Sequence, residues 1–320
     1  MGTSTGTAVS STTCGAFCES RDIGLDVEIA LVENQRWRSR RAWTQLRMAG
    51  SRYPQMATHT QRMPSRPAVP LLLIAALLVG LGTACKGNER HRSESYEVTA
   101  DFPHDSDAYT EGLVWADSVL FESTGRYGHS ELRRVDLRTG RVLTARSLAA
   151  TRFGEGLTWL KGRLYQLTWK EGIAYTYDAA TLAPGDSFHY AGEGWGLTTD
   201  GTSLIMSDGS DSLRFLSPTA FRVERVVHVR YNGAPLFRLN ELEYANGEIL
   251  ANVYESNWVM RIDPVTGTVR EAIDFADLYE KRSALAEVMN GIALSPDGRQ
   301  LLLTGKQWPV MFQVRLRPPR

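Results

Sequence analysis

The sequence predicts an all-β fold, a five-bladed β-propeller, on three observations. A short motif returns five times, at residues 109–113, 153–158, 193–197, 240–243 and 290–293. Its second anchor positions are 44, 40, 45 and 50 residues apart and are occupied by Gly112, Gly156, Gly196, Glu241 and Gly291. Short runs of Val, Leu, Tyr, Trp and Thr lie between Gly, Asp and Asn turns, as is typical of strands. Periods of about 40–50 residues with four strands each are typical of propeller blades.

The first unit shows the strand order expected in every blade. Its predicted strands are 112–115, 119–123, 132–136 and 141–147. An Asp-led turn at 135–140 connects the last two strands, and the same device returns at 177–182 and 262–267, with a looser form at 216–220. Asp can accept a hydrogen bond from the backbone two residues on, and Gly supplies a positive φ. The repeated turn supports the same register of units as the opening motif.

The last unit, residues 291–316, is short. A strand at 96–100 is therefore expected to complete its sheet and close the ring, which removes an exposed edge. The spacing of apolar residues over 275–288 predicts a helix, the one helix expected in the domain, inserted between the fourth and fifth blades. A β-sandwich is the alternative fold, but it would not explain five matched units. The propeller domain is expected to span residues 96–320.

The first 95 residues are predicted to lie outside the propeller. Residues 1–62 lack lasting apolar periodicity and are interpreted as a non-native or disordered extension before the true start codon. Residues 63–85 combine a positive start, an apolar run and small residues before Cys85, as in a secretory signal. They resemble a bacterial lipoprotein signal, except that Gly82 stands where Leu is usual. Residues 86–95 are interpreted as a polar tether.

Two alternatives remain open for this leader: ordinary cleavage after Ala84, and a genuine cytoplasmic extension with a membrane anchor. The favoured interpretation predicts lipidation of Cys85 and export to the periplasm or outer cell envelope. The membrane would then be contacted only through the lipid anchor.

Composition and charge exclude several function classes. Lys and Arg total 36, as do Asp and Glu, so no net field attracts nucleic acid or anionic lipid. The cysteines are Cys14, Cys18 and Cys85, so no disulfide framework or cysteine metal site is expected after residue 95. No two of the six histidines are four residues apart, so the sequence gives no support to a catalytic zinc. We expect no cofactor, no metal and no nucleic-acid partner.

Seven ordered motifs carry a specific resemblance. They lie at residues 153–158, 164–169, 194–197, 207–209, 238–244, 290–293 and 304–309. Together they resemble the glutamine cyclotransferases of the plant and bacterial type, over about residues 96–316. The resemblance implies a five-bladed propeller and conversion of an N-terminal glutamine to pyroglutamate with release of ammonia. The lack of zinc-ligand spacing among the histidines separates the chain from the animal-type cyclases, which resemble zinc aminopeptidases. Peptide or protein N-termini bearing Gln are the expected partners, and a monomer is expected.

Glu155 is the predicted catalytic residue, since the resemblance assigns acid/base catalysis to its motif position. A partly desolvated carboxylate can take a proton from the α-amine and deliver one to the leaving nitrogen. The glycines on either side are expected to leave room for substrate. The alternative is a strand carboxylate that bonds a loop amide. Glu111 holds the equivalent place in blade 1, where plant relatives carry Gln, and is predicted to bind the substrate α-ammonium or else to solvate the rim.

An aromatic cage is predicted from Trp169, Trp195 and Tyr254, with Phe153 beside them, although plant relatives carry Trp where this chain has Tyr254. Such a cage would hold the glutamine side chain folded back on its own amine. Asn240 and Lys306 are predicted to donate hydrogen bonds that stabilise the oxyanion or orient the amide. For Lys306, a structural ion pair with a neighbouring carboxylate is the alternative. Asp208 could equally serve a turn, and His104 is interpreted as structural.

Two other function classes compete with the cyclotransferase. One is a propeller that binds peptides or sugars through its aromatic channel without catalysis. The other is a lactonase-like hydrolase, which would need a calcium cluster drawn from Glu111, Glu155, Asn240 and Asn290.

Overall fold

The computed structural model describes residues 95–116, 118–280 and 284–317, and these form an all-β, five-bladed propeller. All of them belong to one compact unit, Gly82–Arg320. The predictions for residues 1–62, for the signal with Cys85, and for the tether up to residue 94 lie outside the described residues. Within the described ranges, no helix has the length and apolar character needed to cross a membrane.

Four blades are antiparallel sheets of four strands that follow one another in the chain. The first strand of the chain, β1 (Tyr96–Pro103), belongs to the last blade. Blade 1 contains β2 (Thr110–Ala116), β3 (Val119–Thr124), β4 (Glu131–Val135) and β5 (Val142–Ser147). Blade 2 contains β6 (Gly154–Leu160), β7 (Arg163–Thr168), β8 (Ile173–Asp178) and β9 (Pro184–His189).

Blade 3 contains β10 (Leu197–Thr199), β11 (Leu204–Met206), β12 (Ser212–Leu216) and β13 (Val223–His228). A small hairpin follows, β14 (Arg230–Tyr231) with β15 (Ala234–Pro235). Blade 4 contains β16 (Leu239–Ala245), β17 (Glu248–Val253), β18 (Trp258–Ile262) and β19 (Val269–Asp274).

Blade 5 joins the two ends of the propeller domain, as predicted. Its sheet has the order β1, β22 (Val310–Leu316), β21 (Leu301–Gly305) and β20 (Met289–Leu294). β1 pairs antiparallel with β22, from Tyr96 opposite Leu316 to Pro103 opposite Val310. Tyr96 is fully buried, and its ring centroid lies 4.5 Å from that of Phe275. The outer edge of β22 is therefore covered by a strand from the start of the domain.

The Asp-led turns form as predicted. Asp136 Oδ1 accepts hydrogen bonds from Thr139 N at 2.9 Å and from its hydroxyl at 2.8 Å. Asp263 Oδ1 accepts from Val265 N at 2.8 Å and Thr266 N at 2.9 Å. These bonds hold the connection between the third and fourth strands of blades 1 and 4.

The helix predicted over residues 275–288 is wrong for the described residues. Only Ala276–Tyr279 forms a helical turn, of the 3₁₀ type. Downstream, Glu287 N donates to Lys306 O at 2.8 Å and Lys306 N donates to Val288 O at 3.0 Å. This pairing with blade 5 requires extended backbone, and it overrides the apolar spacing that suggested a helix.

Among the described residues, five clusters of buried apolar side chains lie between neighbouring blades, one for each pair. The cluster between blades 1 and 2, for example, joins Leu132 with Leu157 and Leu164, each at most 1% exposed. Burying a side chain of this size stabilises the fold by about 1.5–3 kcal/mol. The core is therefore a ring of five layers, each lying between two neighbouring blades.

Candidate active site

The candidate site lies at one end of the ring of inner strands. The first strands of the blades, β2, β6, β10, β16 and β20, each contact the first strands of both neighbouring blades. We call the end at which these strands begin the mouth. The loops between the second and third strands reach the same end, because adjacent strands are antiparallel: residues 125–130, 169–172, 207–211, 254–257 and 306–309. Side chains far apart in sequence therefore converge at the mouth.

The repeated motif forms an irregularity at the start of the inner strands. The pairing with the second strand shifts between Gly154 and Leu157, and similar shifts occur in blades 1, 4 and 5. A bulge of this kind re-aims a side chain out of the regular alternation. Glu155 occupies it in blade 2, and the equivalent positions carry Glu111, Trp195, Asn240 and Asn290.

The expectation that the glycines beside Glu155 make room for substrate is wrong. A Cβ on Gly156 would lie 2.5 Å from Trp195 O and from Leu197 N in blade 3. A Cβ on Gly154 would lie 2.7 Å from Thr124 O. Gly156 N also donates to Trp195 O at 2.7 Å. Gly156 therefore allows β6 to approach the start of β10 backbone to backbone, and Gly154 allows it to approach the end of β3, so the space beside both glycines is filled by protein.

Blade 4 carries Glu241 where the other blades carry this glycine. Its Oε1 accepts from Leu113 N at 3.2 Å, and its Oε2 accepts from Ile292 N at 2.9 Å. The buried carboxyl group thus reaches from blade 4 to blades 1 and 5. Burial, followed by the charge of Glu243, raises the pKa of Glu241 well above its usual range. Glu241 forms part of the floor beneath the mouth.

Glu155 is 6% exposed, and no described residue donates a hydrogen bond to its carboxyl group. Burial, and then the charge of Glu111, raises the pKa of Glu155 well above its usual range. Lys306 opposes this rise, whereas Glu193 and Glu171 add to it. The alternative of a structural bond to a loop amide therefore has no contact to support it within the described ranges. A buried carboxyl group with a raised pKa can exchange protons at a working pH nearer neutrality.

Glu111 and Lys306 form a buried ion pair, with Lys306 Nζ 2.7 Å from Glu111 Oε1. Asn290 Nδ2 donates to Glu111 Oε2 at 3.1 Å. Burial raises the pKa of Glu111, and Lys306 limits that rise. Burial alone would lower the pKa of Lys306, but Glu111 and Glu155 raise it overall, so Lys306 stays an ammonium. Both oxygens of Glu111 accept bonds from the protein, and Lys306 has the structural ion pair that was one of its two predicted roles.

Aromatic side chains surround this ammonium. Lys306 Nζ lies 4.6 Å from the ring centroid of Tyr109 and 5.4 Å from that of Tyr254. The Phe153 ring packs edge-on against Trp169, with centroids 5.5 Å apart, and the Trp195 ring packs against Tyr254 at 5.6 Å. The structure thus brings together all four predicted aromatic residues. Tyr109 was not predicted, although it is the first residue of the motif copy in blade 1.

Glu193 links the two tryptophans and was also missed. Its Oε2 accepts hydrogen bonds from Trp169 Nε1 at 2.9 Å and from Trp195 Nε1 at 3.0 Å. The nearby Glu171 accepts from Tyr127 Oη at 2.9 Å and from Phe153 N at 3.3 Å. Glu193 stands inside the third copy of the motif, so its place at the mouth could have been inferred, but its pairing with Trp169 depends on how blades 2 and 3 meet.

The remaining predicted residues are Asn240, Asp208 and His104, and each has different surroundings. Asn240 is 3% exposed, and its Oδ1 has no hydrogen-bond partner among the described residues. Asp208 serves its turn: Oδ1 accepts from Ser210 N at 3.0 Å, and Oδ2 pairs with Arg214 at 2.5 Å. His104 is buried against Glu122, with Nε2 2.9 Å from Oε1.

The donor chemistry of the mouth does not fit a calcium cluster. Lys306 already occupies the position beside Glu111 where a cation would sit, and Asn290 contributes its amide nitrogen rather than its oxygen. No group of three or more His, Cys, Asp or Glu side chains suited to a metal occurs in the part of the chain that the structure describes. The arrangement instead combines a buried carboxyl group of raised pKa, an ammonium paired with Glu111, and aromatic walls.

Three comparisons with known proteins agree with one another. The family model described as glutamine cyclotransferase matches residues 71–316. A curated glutaminyl-peptide cyclotransferase from Arabidopsis thaliana is 44% identical over 235 residues, covering 71% of this chain and 73% of that protein. The crystal structure of Myxococcus xanthus glutaminyl cyclase is similar with a TM-score of 0.66 and 37% identity, covering 70% of this chain and 97% of that one.

Proposed function

The chain belongs to the glutamine cyclotransferase family, and we propose that it is a glutaminyl-peptide cyclotransferase acting on peptide or protein N-termini that bear Gln. The observation that carries the proposal is Glu155, a buried carboxyl group of raised pKa at a mouth walled by Phe153, Trp169, Trp195 and Tyr254. The names of the relatives give the same activity for those proteins.

The proposed reaction is an intramolecular acyl transfer. The α-amine nitrogen attacks the side-chain amide carbon, a five-membered lactam forms, and the bond from that carbon to the amide nitrogen breaks. Glu155 as carboxylate takes the proton from the attacking amine and gives it to the leaving nitrogen, which departs as ammonia. Burial favours this dual role because it raises the pKa of Glu155 above that of a solvated Glu.

The aromatic walls address the geometric part of the reaction. A glutamine side chain must fold back so that its amide carbon meets its own amine, and a close-fitting site supplies this arrangement in advance. Phe153 with Trp169 and Trp195 with Tyr254 form two edge-packed pairs. We propose that the substrate side chain lies between these pairs.

The amide oxygen gains negative charge as the amine attacks, and donors at the mouth can stabilise it. Lys306 keeps donors beyond the one it gives to Glu111, and Asn240 presents an amide group. Removing one such donor typically raises the barrier by ~2.7–4 kcal/mol. Glu111 has the supporting role of holding Lys306 in place. The proposed chemistry needs no metal, because proton transfer and charge stabilisation both come from side chains.

The test is a peptide that begins with Gln, incubated with the full-length protein. We expect release of ammonia and loss of one ammonia from the peptide mass, with or without chelator. The matched control is the same peptide with an acetylated amine, which cannot attack and should stay unchanged. Binding of the Gln-led peptide without any turnover would instead support the non-catalytic propeller.

A further inference from the structure

We infer that Glu193 is a positioning residue for this reaction: its carboxylate holds the two indoles of the mouth in one arrangement. The inference rests on the proposed function, and it assigns to Glu193 a role that neither the resemblance nor the names of the relatives supply. Glu193 precedes β10, whereas Trp169 follows β7 in the neighbouring blade.

The geometry is that of one acceptor between two donors. A single oxygen, Glu193 Oε2, lies 2.9 Å from Trp169 Nε1 and 3.0 Å from Trp195 Nε1. An indole has only this one hydrogen-bonding group, so each ring is fixed at its polar end by the same atom. Hydrogen bonds to an ionised acceptor are stronger than neutral ones. Glu193 therefore couples a wall residue of blade 2 to a wall residue of blade 3.

The backbone around Glu193 is itself anchored. Gly194 N donates to Trp169 O at 2.9 Å, and Trp195 N donates to Ser207 O at 3.0 Å. The carboxylate is thus presented from a segment tied to the Trp169 loop of blade 2 and to the 207–211 loop of its own blade. Each indole ring also has packing contacts. The Trp169 ring contacts Phe153, and the ammonium of Lys170 lies 3.6 Å from the Trp169 ring centroid. The Trp195 ring contacts Tyr254. Rotation of either indole would break its bond to Glu193 and disturb these contacts.

Glu193 also acts on Glu155 through its charge. Burial is the main cause of the raised pKa of Glu155, and the charge of Glu111 is the next. Lys306 lowers this pKa, whereas Glu193 and Glu171 raise it. The phenols of Tyr127 and Tyr190 lie near the same carboxyl group. Removing the charge of Glu193 therefore favours the ionised form of Glu155. A purely structural role would leave this ionisation unchanged.

Two substitutions separate the contributions. Glu193→Ala removes both indole bonds, and we expect kcat/KM for a Gln-led peptide to fall by roughly tenfold to a hundredfold. The loss should appear mainly in kcat, because the walls impose the folded-back conformation more than they add affinity. Glu193→Gln keeps an acceptor oxygen but loses the charge. It should move the acidic limb of the kcat/KM profile to lower pH with a smaller loss of rate.

The matched control is Glu171→Gln, which removes a carboxylate from the same mouth but no bond to an indole. It should shift the pH profile in the same direction and leave the tryptophan bands of the near-UV circular dichroism unchanged. Glu193→Ala should alter those bands even without substrate, while the far-UV spectrum stays native. Unaltered tryptophan bands in Glu193→Ala would overturn the inference whether or not the protein is active. Wild-type kinetics and pH profile in both Glu193 variants would also overturn it, whereas an inactive wild type would contradict the proposed function alone.

Discussion

Glu111 and Lys306 illustrate how single residues shape the mouth. Their side chains are 2% and 6% exposed, so the pair is removed from bulk water. A buried ion pair contributes little net stability compared with apolar replacements, but loss of one partner leaves a buried charge uncompensated. The pair therefore defines where the ammonium sits, 4.6 Å from the Tyr109 ring centroid, more than it stabilises the fold.

Lys306→Met should lower the free energy of unfolding by about 3–5 kcal/mol, because Glu111 then remains buried without its partner. Urea unfolding of the variant measures this loss. The double variant with Glu111→Gln removes both charges and should recover part of the stability. Strict additivity of the two single substitutions would show that the side chains do not interact.

The repeat predicts which residues reach the mouth but not which of them touch. Glu111, Glu155, Trp195 and Asn240 could be named from their motif positions. The bond from Lys306 to Glu111 spans 195 residues, and that from Trp169 to Glu193 joins two blades. Such pairings depend on the angle between blades and on the bulge at each inner strand, which the periodicity does not encode.

At the scale of elements, the segment after β1 connects the last blade to the first through a buried polar cluster. His104 Nδ1 lies 2.7 Å from Trp308 O in blade 5, and its Nε2 lies 2.9 Å from Glu122 Oε1 in blade 1. Thr110 donates its hydroxyl hydrogen to the same Glu122 oxygen at 2.8 Å. His104 thus bonds both sides of the junction at which the ring closes.

This junction should make stability depend on pH. Burial would lower the pKa of His104, but Glu122 and the bond with Trp308 raise it overall. A raised folded-state pKa means that the protonated pair stabilises the fold fully below the pKa of free histidine, about 6.5. That contribution is lost as the pH rises through the raised value. The stability advantage of the wild type over His104→Gln should therefore shrink as the pH rises, measured by urea unfolding between about pH 5 and pH 9.

Glu122 makes stability depend on pH at the acidic end of the range. Burial would raise its pKa, but His104, Arg133 and Thr110 lower it overall. Its contribution is thus present above the pKa of free glutamate and is lost as the pH falls through the lowered value. An advantage over His104→Gln that stays constant, or grows, as the pH rises from about 6 to 9 would contradict this account of the junction.

The strands and turns could be predicted from local sequence, whereas the helix predicted over residues 275–288 was wrong for the described residues. The four strands predicted for blade 1 match β2 to β5 to within about two residues at each end. Their turns carry local chemistry, such as the bonds from Asp136 to Thr139. Residues 287 and 288 pair with Lys306 instead of continuing a helix, and no local pattern reports a partner eighteen or nineteen residues away.

At the scale of the whole molecule, ring closure by β1 completes both the fifth sheet and the cluster between blades 4 and 5. Tyr96 belongs to that cluster with Phe275, Ile292 and Trp308. The short last unit and the strand at 96–100 were enough to predict this closure, because an unpaired edge is a liability that propellers avoid. The blade count followed from the period alone.

Tyr96→Ala should lower the free energy of unfolding by about 3–5 kcal/mol, since it leaves a cavity where β1 meets the core. The matched control is Tyr96→Phe. The Tyr96 hydroxyl has no hydrogen-bond partner among the described residues, so its removal should leave stability unchanged or slightly higher. A large loss in Tyr96→Phe would mean that the hydroxyl, rather than the ring, secures the closing strand.

The central claim is that Glu155 moves the proton during cyclisation. Glu155→Gln keeps the size of the side chain and removes its ionisable group, and it also removes a charge that is buried without a hydrogen-bond donor among the described residues. The most direct measurement is therefore ammonia release from a Gln-led peptide by this variant, alongside its unfolding curve. We predict a loss of at least about 10²–10⁴-fold in turnover with stability unchanged or increased. Wild-type turnover in a folded Glu155→Gln variant would contradict the claim.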